Sequence, residues 1–258
     1  MGFIPNKENI LTYLRIIQEA SPKSEIFKYI SRRIMGKRVD FDQDVFIKNN
    51  GSTINCGRLM NNCSVACSQF EKDLSPEFKN MSIVLDIGAN IGKHSIEMAK
   101  TCDKVIAIEP DKDSYKLLKQ NIELNNIEDK VTIINKACGE KQGTVSFFRD
   151  AVYPTSNSIT VKKNAQMTEE KVECDTVDNI CNGIVIDFIK VDVEGGELDT
   201  LKGAKKTIDI CKPKIIFEAW NKEAADEIKS YLKHWGYSFT NLDTYNYLAE
   251  VKKSEGDK

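Results

Sequence analysis

The sequence predicts an α/β fold, a doubly wound and mainly parallel sheet, preceded by an N-terminal, mainly helical extension. Three observations predict it. Short apolar runs, Ile83–Leu85, Val105–Ile108 and Ile215–Phe217, suit strands buried on both faces. From residue 81 onward such runs alternate with stretches of helical spacing, the mark of strand–helix–strand units. The first run ends at Asp86 and breaks through Gly88, Asn90 and Gly92 into a helix, the opening unit of a doubly wound sheet, whose ligands lie at the carboxyl ends of the strands.

The 258 residues suffice for one large domain or a domain plus an extension, and 41% apolar with 29% charged residues is ordinary for a globular protein. A net charge of −2 gives no global basic field, which weighs against nucleic acid as a partner. No apolar run approaches a membrane span, and the start MGFIPNKEN lacks both the layout of a secretory signal and, with Asn6, a myristoylation signal. The expected location is cytoplasmic, with no membrane partner. Of eight cysteines, Cys102, Cys138, Cys174, Cys181 and Cys211 sit in apolar or helical segments and read as small buried hydrophobes. Cys56, Cys63 and Cys67 match no zinc or iron–sulfur spacing, so no metal is expected there.

Residues 1–80 read as the extension and 81–258 as the main domain. Ile10, Leu14 and Ile17 recur at helical spacing, and a second helix follows Ser24 with Ile26, Phe27, Ile30 and Ile34 on one stripe and Gly36 as its stop. Arg32, Arg33, Lys37 and Arg38 read as a solvated helix end before they read as an anion contact. Val45–Lys48 is a strand candidate before an Asn49-Asn50-Gly51 turn, and 58–70 a helix candidate. The extension is expected to cover the mouth of the domain that follows.

In that domain, Lys93–Lys100 is the first helix and Val105–Ile108 the second strand, ended by Glu109. Asp111 or Asp113 caps a helix through Leu124, stopped by Asn125-Asn126. Val131–Ile134 is the third strand, ended by Asn135, and the alternating GTVSFF at 143–148 pairs as an antiparallel ribbon. Residues 154–166 read as a polar loop, 172–174 as a short strand, and Thr176–Ile180 as a turn back. Asp187–Val191 is the central strand, ended by Asp192, and a helix with Leu198, Leu201 and Ala204 starts at Glu194-Gly195-Gly196-Glu197. A strand from Pro213 to Phe217 ends at Glu218; a helix through Leu232 and a final antiparallel pair, Tyr237–Leu242 and Tyr245–Val251, close the chain.

In this register Asp86, Glu109, Asn135, Asp192 and Glu218 end five separate strands and gather along one sheet edge. Each alone is equally well a helix cap. The turn GANIG lacks one glycine of the dinucleotide fingerprint, and the Asp86 carboxylate repels a pyrophosphate. A phosphate-free, cationic nucleoside suits it, and S-adenosylmethionine has that character. Glu109 stands 23 residues after Asp86, where a carboxylate accepts hydrogen bonds from a ribose diol. Pro110, Asn135 and Ala137 would flank the adenine, with the Asn135 amide reading its edge, while Asp86, Gly88, Asn90 and Gly92 would meet the amino-acid end.

The series DIGANIG, VIAIEPD, VTIINKACGEKQGTVSFF, IDFIKVDVEGGELDTLKGA and PKIIFEAW resembles the motif series of the FkbM family of methyltransferases, over residues 81–250. The resemblance implies a Rossmann-like class I methyltransferase sheet of seven strands with a reversed last strand. It also implies S-adenosylmethionine as methyl donor and methylation of hydroxyl oxygens on sugars, polyketides and similar metabolites. An alcohol acceptor needs in-line positioning and a base. Asp192 is the first candidate for that role and Glu218 the second. Glu194 and Glu197 suit the helix dipole better. Lys190, read by strand alternation as pointing away from Asp192's neighbours, is expected to be structural or solvent-facing. His94 either contacts the cofactor or packs locally, His234 reads as a surface residue, and Trp220 walls the acceptor pocket or packs in the core. Mg²⁺ on Asp192 and Glu218 lacks a third ligand in the sequence reading. The competing readings are an RNA methyltransferase, an NAD(P)-dependent oxidoreductase and a non-catalytic binding module.

Overall fold

The computed structural model describes residues 14, 16–34, 41–67, 74–149 and 167–251. Ile10, the Gly36 stop, Lys37, Arg38, the side chains of Arg32 and Arg33, the end of the helix predicted to reach Phe70, and the polar loop 154–166 lie outside the described residues.

The extension holds β1 (Ala20–Ser21), α1 (Lys23–Ile34), β2 (Phe46–Asn49), β3 (Ser52–Asn55), α2 (Met60–Cys67) and α3 (Ser75–Phe78). β1, β2 and β3 form a small antiparallel sheet, where helical spacing predicted helices and a single strand. The β2–β3 hairpin turns at Asn50 and Gly51, both at positive φ, as the sequence signal required. β3 gains a second partner of an unusual kind. At the C-terminal end of the helix Lys112–Leu124, Asn125 accepts from the Thr53 N–H (3.0 Å) and donates to its carbonyl (2.8 Å). One turn earlier Asn121 does the same to Asn55, at 2.6 and 3.0 Å. Amides four apart on a helix face thus meet residues two apart on a strand edge and satisfy backbone groups that a neighbouring strand would otherwise bind.

The main sheet follows from β4 (Ile83–Ile87), α4 (Lys93–Ala99), β5 (Lys104–Ile108), α5 (Lys112–Leu124) and β6 (Val131–Ile134). A second small sheet comes from β7 (Ala137–Cys138), β8 (Gly143–Arg149) and β9 (Thr168–Asp175), the last longer than the predicted strand. Then come α6 (Val177–Cys181), β10 (Phe188–Val191), α7 (Glu197–Lys202), α8 (Lys205–Cys211), β11 (Lys214–Glu218), α9 (Lys222–Lys233), β12 (Tyr237–Asn241) and β13 (Asn246–Val251). The segment expected to turn back at Thr176 is a short helix, with the Thr176 hydroxyl accepting from Asn179 N–H as its cap. The helix expected through Ala204 breaks at Gly203, which packs so closely on Gly139 that a Cβ would stand 2.0 Å from its carbonyl oxygen.

Strand order is β12-β13-β11-β10-β4-β5-β6, parallel from β11 to β6, with β13 reversed between β11 and β12. This is the predicted seven-stranded, doubly wound class I sheet. Its strands bury both faces. Val84, Val105 and Phe188 join the apolar cluster that continues into the extension through Ile26, Ile47 and Phe78. Leu85, Ile106 and Ile189 face the cluster under α6 to α9. Cys56, Cys63 and Cys67 lie buried as free thiols in the first cluster, and burial pushes Cys56 well up. Among the described residues no helix is long and apolar enough to cross a membrane.

Candidate functional site

Order reverses between β4 and β10, and a cleft opens above the carboxyl ends there, where the loops that follow adjacent strands diverge. It holds about 1020 Å³ of space between atoms, open at the mouth. Its floor is the turn after β4. Gly88 and Ala89 donate their N–H groups to the Ile108 carbonyl at 2.9 and 3.0 Å, which ties the turn to the end of β5. Gly88 sits at φ 83°, and a Cβ there would stand 1.7 Å from the Asp192 carbonyl oxygen. Glycine is therefore required twice over, by conformation and by close approach to the loop after β10.

Of the predicted residues, Gly88, Asn90, Glu109, Pro110, Ala137, Asp192 and Glu218 line this cleft. Glu109 accepts from the Asn90 N–H and the Asp111 N–H, both at 2.8 Å. Full burial pushes its carboxyl up to about 8 against those two donors. Asp111 caps α5 by accepting from Asp113 and Ser114.

The remaining three stand elsewhere. Asp86 is fully buried behind the turn rather than on the cleft wall; Ser95 Oγ donates to its Oδ2 at 2.6 Å, and Oδ1 has no partner. Gly92 is also behind the wall, at φ 93°, where a Cβ would meet Leu118 Cδ1 at 2.7 Å. Asn135 is exposed, and its Nδ2 donates to the carbonyls of Glu109 (2.8 Å) and Pro110 (3.1 Å). It braces the loop from behind instead of presenting an amide to the cleft. Its neighbours Lys136, Ala137 and Cys138 form that wall.

On the opposite side, Asp192, Glu194 and Glu218 bring carboxylate oxygens within 4.8 Å of one another. The parallel register puts Lys190 beside Ile216 and Val191 beside Phe217, so Asp192 and Glu218 leave the sheet at the same level. Burial pushes Glu218 up to about 9, with the nearby Asp192 and Glu194 charges adding to it. Trp220 donates its indole N–H to Glu218 Oε2 at 3.3 Å and is largely exposed beside the cleft rather than in its wall. His94 lines the cleft and His234 is exposed at a helix end.

Two residues of this group were misjudged from sequence. Lys190 is 3% exposed, lines the cleft, and donates to Asp192 Oδ2 at 2.8 Å. Strand alternation, applied as a step of two, puts positions 190 and 192 on the same side, and that signal was available. Glu194 turns toward the cluster because it holds φ 61°, a left-handed conformation that no spacing rule reveals. Glu197, by contrast, folds back on its own loop, accepting from Val193 and Gly195 N–H groups at 3.2 and 3.0 Å. Lys190 places a cation against Asp192, and Glu218 holds its proton up to about 9, so the cluster carries internal compensation for its three acids.

Comparison with known proteins bears on the family and the fold. The sequence profile of the methyltransferase FkbM domain matches residues 86–239. The chain is 25% identical to the methyltransferase sdnD of Sordaria araneosa over 191 residues, 61% of this chain and 74% of the relative. It is 23% identical over 209 residues to a tRNA/tmRNA (uracil-C(5))-methyltransferase of Shewanella sp. (strain ANA-3), covering 76% of this chain and about half (52%) of that protein. A crystal structure of methyltransferase FkbM from Methylobacillus flagellatus KT superposes with a TM-score of 0.52 at 17% identity, over 93% of this chain and 58% of the other, a likeness of fold. Because the matched profile spans more than half of the sequence and runs from the end of the first sheet strand to the last strand pair, the chain belongs to the FkbM family of methyltransferases.

Proposed function

We propose that the chain transfers a methyl group from S-adenosylmethionine to a hydroxyl oxygen of a sugar or other small metabolite. One observation carries the reading: a single cleft holds Glu109 on one side of the Gly88 turn and the Asp192–Glu218 pair on the other. Nucleoside recognition and acceptor activation then have separate walls.

The residues present fit the cofactor. Glu109 offers its remaining lone pairs to a ribose diol at the mouth of β5, with Pro110 and Ala137 beside the base. Asn90 Oδ1 is buried without a partner on the cleft wall and suits an ammonium donor. Bound there, S-adenosylmethionine supplies a methyl group on a sulfonium, open to in-line attack. The chain's share is to align the acceptor and to remove its proton. Asp192 is assigned the proton. As the acceptor oxygen gains the methyl it loses its O–H bond, and the proton passes to the Asp192 carboxylate. Glu218, protonated at neutral pH, is assigned to orient the acceptor as a hydrogen-bond donor.

A net charge of −2 gives the chain no global basic field, which supports a small-molecule or glycan acceptor over RNA. Residues 1–80 are assigned as a cap, because Val65 of α2 reaches the same cleft. Calorimetry with S-adenosylmethionine and labelled-methyl transfer into glycans, small alcohols and RNA test the reading. The expected result is cofactor binding that Glu109→Ala abolishes, with label entering a hydroxyl compound in the wild type and not in Asp192→Asn. Absence of cofactor binding, or label entering RNA alone, refutes it.

A further inference from the structure

The buried lysine of β10 has no role in the reading above, and its surroundings give it one. Lys190 stands beside Asp86 in the β4–β10 register and reaches up to Asp192, whose Oδ2 it holds at 2.8 Å. Asp86, its register neighbour on β4, is fully buried with one oxygen lacking a hydrogen-bond partner. Glu218 and Glu194 close the remaining side. A lysine so far from water is costly unless it is paired, and a hydrophobic residue would fill a sheet interior at less cost. The pairing therefore serves the groups it touches.

We propose that Lys190 is a positioning residue for methyl transfer: its ammonium fixes Asp192 as the ionised partner of the Asp192–Glu218 pair. This inference rests on the proposed methyl transfer and assigns the division of labour within it. Without the lysine, two carboxyls side by side share one proton, as closely placed acids do, and neither is a dependable base. With it, the proton resides on Glu218. Glu194 on the following loop faces the pair directly, and Lys93 and His94 of α4, Glu109 after β5 and Lys136 after β6 line the same cleft; among the described residues Lys190 is the cation bonded to the pair.

The test compares wild type, Lys190→Met, Lys190→Gln and Lys190→Arg, with carboxyl carbons ¹³C-labelled and assigned through Asp192→Asn and Glu218→Gln. Titration is followed by NMR without any ligand. The first ionisation of the pair is expected to rise by about one to three pH units in the methionine variant and to return in the arginine variant. In transfer assays the acidic limb of the kcat–pH profile moves up by the same number of pH units, while the dissociation constant for S-adenosylmethionine stays within about twofold. The glutamine variant, which keeps a donor but no charge, carries the titration if the methionine variant does not fold. An unmoved titration in the neutral variants, with only a lower melting temperature, overturns the proposal and makes Lys190 a buried strut. Because the titration needs neither cofactor nor acceptor, that result stands apart from a failure of the methyltransfer reading, which shows instead as absent cofactor binding in the wild type.

Discussion

Asn121→Leu tests how the extension is joined to the main domain. The Asn121 side chain is fully buried and makes three hydrogen bonds: it accepts from the Asn55 N–H and donates to the carbonyls of Asn55 and Ile91. Leucine is nearly isosteric, so cavity effects are small, but one buried donor and two carbonyls lose their partner. Each buried group left unpaired costs about 1–3 kcal/mol, and the donor has least chance of finding water. The added apolar burial of leucine returns about 1–2 kcal/mol. The net expected loss is about 3 kcal/mol, which for a chain of this size lowers the melting temperature by roughly 6–12 °C. Asn125→Leu is the internal control. Its amide is half-buried and bonds only Thr53 and its own helix, so about 1 kcal/mol is expected. Ile91 belongs to the GANIG turn, so Asn121→Leu also weakens S-adenosylmethionine binding, whereas Asn125→Leu leaves it unchanged. Chemical denaturation and calorimetry on both variants read the two effects. Equal stability losses, or unchanged cofactor affinity in Asn121→Leu, would refute the view that this amide locks strand edge and cofactor turn together.

Three other expectations follow from the site. Gly88→Ala should cost more than about 2 kcal/mol and abolish cofactor binding, because the new methyl meets backbone, whereas Gly183→Ala, at φ 84° with open space around it, should cost only about 1 kcal/mol. Equal costs in urea titrations would show that conformation alone, and not the approach to Asp192, demands the glycine. Glu218 in the folded protein holds its proton from the ordinary 4.5 up to about 9, so across that range the native state binds more protons than the unfolded chain and stability falls as pH rises. Glu218→Gln should flatten that decline in melting temperature measured from pH 5 to 9, and an unchanged slope would place the responsible group elsewhere. Asn135→Ala removes a brace and not a reader of the base, so it should weaken S-adenosylmethionine binding a few-fold without altering preference among nucleoside analogues; a change in that preference would return Asn135 to the cleft wall.

The sheet was legible because apolar runs and strand-ending carboxylates record a backbone ladder, and the family membership then replaces the oxidoreductase reading. Glu109, Asp192 and Glu218 were legible for the same reason: a residue just past a parallel strand must lie at the sheet's carboxyl edge. What that rule does not carry is direction. Asp86 and Asn135 also end strands, yet one carboxylate is drawn inward by Ser95 and the other side chain is spent on two carbonyls of its own loop. Direction within a strand is recoverable by parity, and Lys190 shows it, since a step of two from Asp192 puts it in the cleft. Direction in a loop is not, and Glu194 depends on one left-handed torsion. In the extension's sheet β2 and its turn were legible, while β1 and β3 escaped notice, β3 for a deeper cause. β3 borrows a helix for part of its edge, and that pairing is carried by Asn121, inside the helix, and by Asn125, which as an isolated letter reads only as part of the helix stop. Asn125 and Asn126 do end α5, and the Asn121 amide one turn earlier joins the extension's strand edge to the turn that floors the cleft. An extension joined to the GANIG turn through Asn121 cannot move freely of it. Ligand binding at that turn is therefore expected to slow hydrogen exchange at Thr53 and Asn55, the two amide hydrogens held by those side chains, more than in the opposite strand β2.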